Sequence, residues 1–279
     1  MAKILLLFYL FLSSTQTNVT ATTEYDEQDS PFSFKVEMVP WDIVNEILPR
    51  KSFFTIIDVE TGLQFRVQRR AGSRHADVQP LTVDDTKIMK KIYGGKWSWK
   101  RRAIIVKHDD QMIAASMHGM PHGAGSLQNG FPGHFCVHFL GSTTHRSKEP
   151  DLAHKLMLLK AGGKLEEYIN NADPYHLVEI FSTGINQNDR KIINQTIVPN
   201  INNKKLFQNL NQISIFSVTN MSYLPLSDFK GLLTIEIPIE AEIFRENQGK
   251  ERKQITFVLV RNTLIERWYI QQNELLKEL

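Results

Sequence analysis

The stretch GHFCVHF, residues 133–139, constrains the fold most, because apolar and polar residues alternate along it. Side chains of a β-strand point to opposite faces of a sheet in turn. One face therefore carries Phe135, Val137 and Phe139, and the other carries His134, Cys136 and His138. The apolar face has to pack on a hydrophobic core. The sequence thus predicts a sheet that presents a cysteine and two histidines together on its other face.

Cys136 is the only cysteine in the chain. Cysteines of exported proteins usually pair as disulfides, so a single one indicates a working thiol or an intermolecular bridge. The alternative is a small buried hydrophobic residue, as free cysteines often are. A cysteine of that kind would be expected on the face of the phenylalanines, so the alternation favours a functional thiol.

The N-terminus has the layout of a secretory signal peptide, with Lys3, an apolar run over residues 4–12, and then small and polar residues. Cleavage after Ser14 or after Ala21 fits this layout. The run is shorter than the roughly 20 residues that cross a bilayer. We therefore expect an extracytoplasmic protein, secreted or associated with the cell wall, without a stable membrane span. The formal net charge of +3 is too small to indicate a nucleic-acid partner.

The order of predicted elements indicates an α+β protein with two domains after the signal peptide at 1–21 and a linker at 22–40. The first domain, 41–165, reads as mainly antiparallel β with short helices at 41–48, 82–93 and 150–160. The second, 170–279, reads as two helices at 174–183 and 203–210 followed by a curled antiparallel sheet. This second order resembles small domains of the nuclear-transport-factor-2 type.

Histidines accumulate around the cysteine, since His118, His122 and His145 add to the two in the strand. One chemistry that uses such a cluster is a thiol nucleophile with an imidazole base. The other is a copper or zinc ion bound by thiolate and imidazole, with the ligand set His118, His134, Cys136 and His138. His122 and His145 either contact the ligand or are solvated. The remaining histidines are expected at the surface: His75, His108, His154 and His176.

The spacing of two short motifs resembles the L,D-transpeptidase (YkuD-like) family. His118-Gly119 is followed, after the thirteen residues 120–132, by GHFC at 133–136, where the family has Ser/Thr-His-Gly-Cys. The resemblance covers roughly residues 53–163. The chain departs from the family pattern at Gly133, at Phe135 in place of glycine, and at His138 in place of arginine or asparagine.

The resemblance implies a cysteine acyltransferase or carboxypeptidase that acts on peptidoglycan stem peptides without a cofactor. Cys136 would be the nucleophile, His134 its base, and His118 would line the site. Gly119, Gly133 and His138 would contact the substrate. A non-catalytic wall-binding relative, or a protein with the copper or zinc site, is the alternative.

Two further segments carry candidate substrate-binding residues. Trp97 and Trp99 alternate with cations in KWSWKRR. Either the two tryptophans stack on sugars, or the segment is a strand edge with one tryptophan packed and the cations solvated. Arg66 opens the basic segment 66–75, which either binds a stem-peptide carboxylate from a loop or is a solvated turn.

Overall fold

The structure is a computed structural model that describes residues 35–144, 150–199, 203–223, 229–246 and 248–279. The predicted signal peptide, most of the predicted linker and His145 lie outside these ranges. Among the described residues, no helix combines the length and the apolar composition needed to cross a membrane.

Six antiparallel strands close into a barrel-like sheet in the first half of the chain. With β1, which lies outside the ring, the sheet has seven strands: β1 Val36–Glu37, β2 Phe53–Asp58, β3 Gln64–Ala71, β4 Ala76–Pro80, β5 Arg101–His108, β6 Gln111–His118 and β7 Phe135–His138. Their order is β1-β6-β5-β2-β3-β4-β7, and β7 pairs back onto β6, which closes the ring. β1 lies outside the ring and pairs with β6 in parallel.

The second half of the chain forms helices and a four-stranded antiparallel sheet. Its strands are β8 Ile213–Met221, β9 Thr234–Arg245, β10 Gly249–Val260 and β11 Tyr269–Ile270, in the order β11-β10-β9-β8. The α-helices of the chain are α1 Trp41–Ile47, α2 Val83–Ile92, α3 Leu152–Ala161, α4 Leu165–Asn170, α5 Pro174–Gln187, α6 Arg190–Thr196, α7 Lys204–Leu210 and α8 Gln272–Glu278. The predicted α+β class is confirmed. The two predicted helices of this half are α5 and α7, whereas α4, α6 and α8 were not predicted.

Two hydrophobic clusters hold these layers together. The barrel encloses the smaller cluster, to which β7 contributes Phe135 and Val137. The larger cluster lies under the second sheet and includes Leu156 and Met157 of α3, which packs on the outer face of β5 and β6. Because α3 covers this face, β7 is buried on both sides, and Cys136 and His138 are as inaccessible as the phenylalanines.

The prediction of a loop over residues 66–75 is largely wrong, because β3 continues to Ala71. The basic residues are compatible with a strand because Arg69, buried to 1% exposure, donates hydrogen bonds to the backbone carbonyls of Leu48 and Gly72. Burial lowers the pKa of Arg69, and the nearby Arg50 lowers it further. Arg66 lies on β3, where its N–H donates to Asp85 of α2, so the structure places it beside that helix.

Phe135 provides a test of the barrel core, since its ring contacts Phe65 and Phe131 at centroid distances of 6.2 and 5.7 Å. We expect Phe135→Ala to lower the free energy of unfolding by about 3–5 kcal/mol, because it leaves a cavity in a closed barrel. Urea denaturation measures this change. The matched control is Phe53→Ala, where the side chain is 48% exposed. Equal losses in the two variants would contradict the packing described here.

Candidate functional site

Strand pairing brings distant histidines to the outer face of β7. The β4–β7 register places Asp77 opposite Cys136, and the β6–β7 register places Ser116 opposite His138. His122 and His134 form an isolated bridge at the two ends of the intervening loop. Six histidines therefore meet around Cys136: His75, His118, His122, His134, His138 and His154.

Cys136 contacts one imidazole and one carboxylate. Its Sγ lies 3.3 Å from His122 Nε2 and 3.7 Å from Asp77 Oδ1. The predicted base, His134, contacts Asp77, with 3.8 Å between its Nε2 and Oδ1. Sequence analysis did not assign the role of base to His122, whose imidazole contacts the thiol.

Three of the histidines are oriented in the same way by the backbone. The Nδ1 atoms of His75, His122 and His134 lie 2.8, 3.1 and 3.0 Å from the carbonyl oxygens of Thr143, Met120 and Ala124. A carbonyl oxygen only accepts, so each Nδ1 carries a proton, and Nε2 is the atom of each ring that can present a lone pair to a metal ion. These Nε2 atoms face Asp77 and Cys136, with His75 Nε2 only 3.2 Å from Asp77 Oδ1.

The inner part of the cluster is a stack of rings. His138 lies between His75 and His154, at centroid distances of 4.5 and 3.7 Å and with interplanar angles of 11° and 12°. Ser116 Oγ lies 2.9 Å from His154 Nδ1 and positions the last ring. This stack joins β7 to the helix α3.

The outer part of the cluster faces a tryptophan. Trp99 is 51% exposed, and its ring lies 4.7 Å from His118 and 5.5 Å from His122 between centroids. Trp97 instead packs edge-on against Phe131 at 5.1 Å. Of the two tryptophans, the structure therefore brings Trp99 alone to the histidine cluster.

Burial controls the protonation of these groups. Burial lowers the pKa of His118 to about 2, with smaller contributions from His122 and Arg101. Burial, then the proximity of His138, holds the pKa of His154 well below its usual range. Burial raises the pKa of the Cys136 thiol, and the carboxylate of Asp77 raises it further. Burial thus favours neutral imidazoles at His118 and His154 and a protonated thiol at Cys136.

Gly119 and Gly133 allow close packing of the loop. A Cβ on Gly133, where φ is 128°, would lie 2.5 Å from the carbonyl oxygen of His122. A Cβ on Gly119 would lie 2.4 Å from the ring of Tyr93. Both glycines therefore let the chain approach itself closely, which positions His122 and His118.

Two histidines predicted at the surface are in the cluster, so this prediction is wrong for His75 and His154, which are 1% and 5% exposed. Asp77 was not predicted at all. A signal for His75 and Asp77 was present, because HADVQP alternates polar and apolar residues as GHFCVHF does. His108 and His176 are half-buried and lie elsewhere, where His176 contacts Tyr168 and Glu179.

Two groups in the cluster have the spacing of metal ligands. The first, here called the inner group, is His75, Cys136 and His138; the second, the outer group, is His118, His122 and Cys136. Within each group the three ligand atoms lie within 4.8 Å of one another. The cluster can therefore bind a soft or intermediate metal ion, or it can support thiol chemistry at the contact between Cys136 and His122.

Comparison with known proteins gives no match: no protein-family model fits the chain, and neither a curated protein nor a solved structure is similar to it.

Acid should destabilise the fold through the buried histidines. The pKa of His154 is lower in the folded chain than its unfolded value of about 6.5, so below that pH the unfolded chain binds one more proton. Stability is then lost as the pH falls, by about 1.4 kcal/mol per pH unit for each such histidine.

Urea denaturation between pH 7.5 and 5, with a chelator present so that only protons bind, measures this loss. His154→Gln should give a shallower dependence on pH. An identical dependence in the variant and the wild type would contradict a neutral, buried His154.

Proposed function

We propose that this protein binds a transition-metal ion, zinc foremost, at Cys136 and Asp77, and uses the ion to hydrolyse amide bonds. The observation that carries this proposal is the orientation of His75, His122 and His134. A backbone carbonyl anchors each Nδ1, and each Nε2 lone pair faces the thiol or the carboxylate. Histidines that ligate metals are held in this way in most sites.

The contact between His75 and Asp77 favours a cation. The lone pair of His75 Nε2 and the oxygen Asp77 Oδ1 repel each other at 3.2 Å unless a proton or a metal ion lies between or beside them. Donors of a tetrahedral zinc site lie about 2.0–2.3 Å from the ion, which places them roughly 3.3–3.8 Å apart. The contacts around Asp77 and Cys136 span 3.2–3.8 Å.

Charge balance favours a divalent ion. A Cys136 thiolate and an Asp77 carboxylate together carry two negative charges, which are costly to bury without compensation. A bound zinc ion neutralises both and keeps the thiol deprotonated, although burial alone opposes its ionisation. A proton on His75 would remove the repulsion between His75 and Asp77 but would leave the charge of the Cys136 thiolate uncompensated.

The outer side of the cluster is where a substrate would approach. The His134 side chain is 17% exposed, and the half-exposed Trp99 lies against His118 and His122. Zinc lowers the pKa of a bound water and polarises a carbonyl, and a nearby neutral imidazole can accept the proton of that water. The expected substrate is a peptidoglycan stem peptide, which fits the predicted export.

Metal content tests the binding. The purified full-length chain, stripped with a chelator and reloaded with zinc, should retain stoichiometric zinc after desalting, and Cys136→Ala should bind zinc at least about 100-fold more weakly. His108→Gln, a histidine outside the cluster, should bind as the wild type does. Wild-type protein that retains no more zinc than Cys136→Ala would overturn the proposal.

Mass spectrometry of tetrapeptide muropeptides tests the activity. We expect hydrolysis by the zinc-loaded protein and loss of activity with a chelator or in Asp77→Asn, because the ion and its carboxylate ligand are then absent. If the protein binds zinc but leaves the muropeptides unchanged, the proposal of a metal centre stands and peptidoglycan stem peptides are excluded as the substrate.

A second candidate is the cysteine acyl transfer implied by the resemblance, favoured by the 3.3 Å contact of Cys136 Sγ with His122 Nε2. His122 would accept the thiol proton, the thiolate would attack the stem-peptide carbonyl, and the proton would pass to the departing amine of D-Ala. Water or another amine would then release the thioester. Activity that survives the chelator and is lost in both Cys136→Ala and His122→Gln would identify this mechanism.

A further inference from the structure

The cluster contains more metal ligands than one zinc ion uses, since a zinc site of the usual kind has four ligands. The inner and outer groups each supply three ligand atoms within 4.8 Å of one another. Cys136 is the one residue that both groups share. Asp77 lies beside the inner group, with its Oδ1 3.2 Å from His75 Nε2 and 3.7 Å from Cys136 Sγ, and offers a carboxylate donor to an ion bound there.

The two groups differ in their access to solvent. All three residues of the inner group are buried, and its two imidazoles are stacked at 4.5 Å. In the outer group His122 is half-buried, and both of its imidazoles lie against the exposed Trp99. Four ligands in a closed environment are typical of a structural zinc site, whereas three ligands with an open position are typical of a catalytic one.

We propose that Cys136 bridges two zinc ions, a closed one bound with His75, Asp77 and His138 and an open one bound with His118 and His122. This inference rests on the metal centre proposed above. A thiolate sulfur has several lone pairs and can bind two ions at once. The thiolate and the Asp77 carboxylate offset two of the four positive charges, and a hydroxide formed from water at the open ion offsets a third.

Two adjacent ions would divide the chemistry. His118, His122 and Cys136 would hold the open ion, which would polarise the substrate carbonyl or activate the attacking water. His75, Asp77, His138 and Cys136 would hold the closed ion, which would fix the bridging sulfur and the stacked imidazoles in place.

Zinc stoichiometry of the full-length protein tests the pair. After stripping and reloading with zinc, the wild type should retain two ions per chain, whereas His138→Gln and His118→Gln should each retain one. Cys136→Ala should retain neither, and His176→Gln, outside the cluster, should retain two. His118→Gln should lose hydrolysis although it keeps the closed ion. One ion in the wild type, with unchanged content in His118→Gln, would overturn the pair and leave the single metal centre; no bound ion would overturn both.

Cobalt(II) substitution tests the bridge in the wild type itself, with one variant as a comparison. Cobalt(II) loaded into the wild type should give sulfur-to-cobalt charge-transfer absorption and a weakened electron paramagnetic resonance signal, because a shared thiolate couples the two ions magnetically. His118→Gln, whose fold is checked by circular dichroism, should keep the absorption and regain the full signal of an isolated ion. Two uncoupled ions in the wild type would contradict a shared sulfur.

Discussion

The pairing of β7 with two strands at once is the constraint on which the rest of the site depends. β7 has only four residues, yet it forms ladders with β4 and with β6 and so closes the barrel. Each ladder fixes one set of neighbours, Asp77 on one side and Ser116 on the other. A register shift of one residue would turn Cys136 and His138 into the barrel core, because side chains alternate along a strand. The core therefore enforces the geometry of the site.

The sequence alone predicts the strand β7 and assigns its side chains to the correct two faces. Phe135 and Val137 lie in the core and Cys136 and His138 lie on the outer face, as the alternation predicts. Asp77 and His75 were harder to predict because β4 is short, ends in proline and has a single β-branched residue. One of its two partner strands, β7, is more than fifty positions away, and no local pattern encodes that pairing.

His154 shows a different limit of prediction. Its helix is short and apolar, and histidine as a residue type is neither characteristically buried nor characteristically exposed, so the sequence does not decide its environment. The ring is buried because α3 packs on β5 and β6, which only the tertiary fold decides. The contact of Cys136 with His122 has the same origin, since the loop between them returns to form the bridge with His134. The short motif around Cys136 therefore could not predict the residues that decide between thiol chemistry and a metal ion.

The position of α3 has a consequence for how the molecule folds. Its Leu156 and Met157 belong to the larger cluster under the second sheet, while its His154 completes the ring stack on the barrel. Neither half can lose this helix without exposing part of its own interior, so the two cores should melt in one cooperative transition. A fragment that ends near residue 165, the predicted end of the first domain, would keep the strands of the barrel but leave an apolar helix face uncovered. Such a fragment is expected to aggregate.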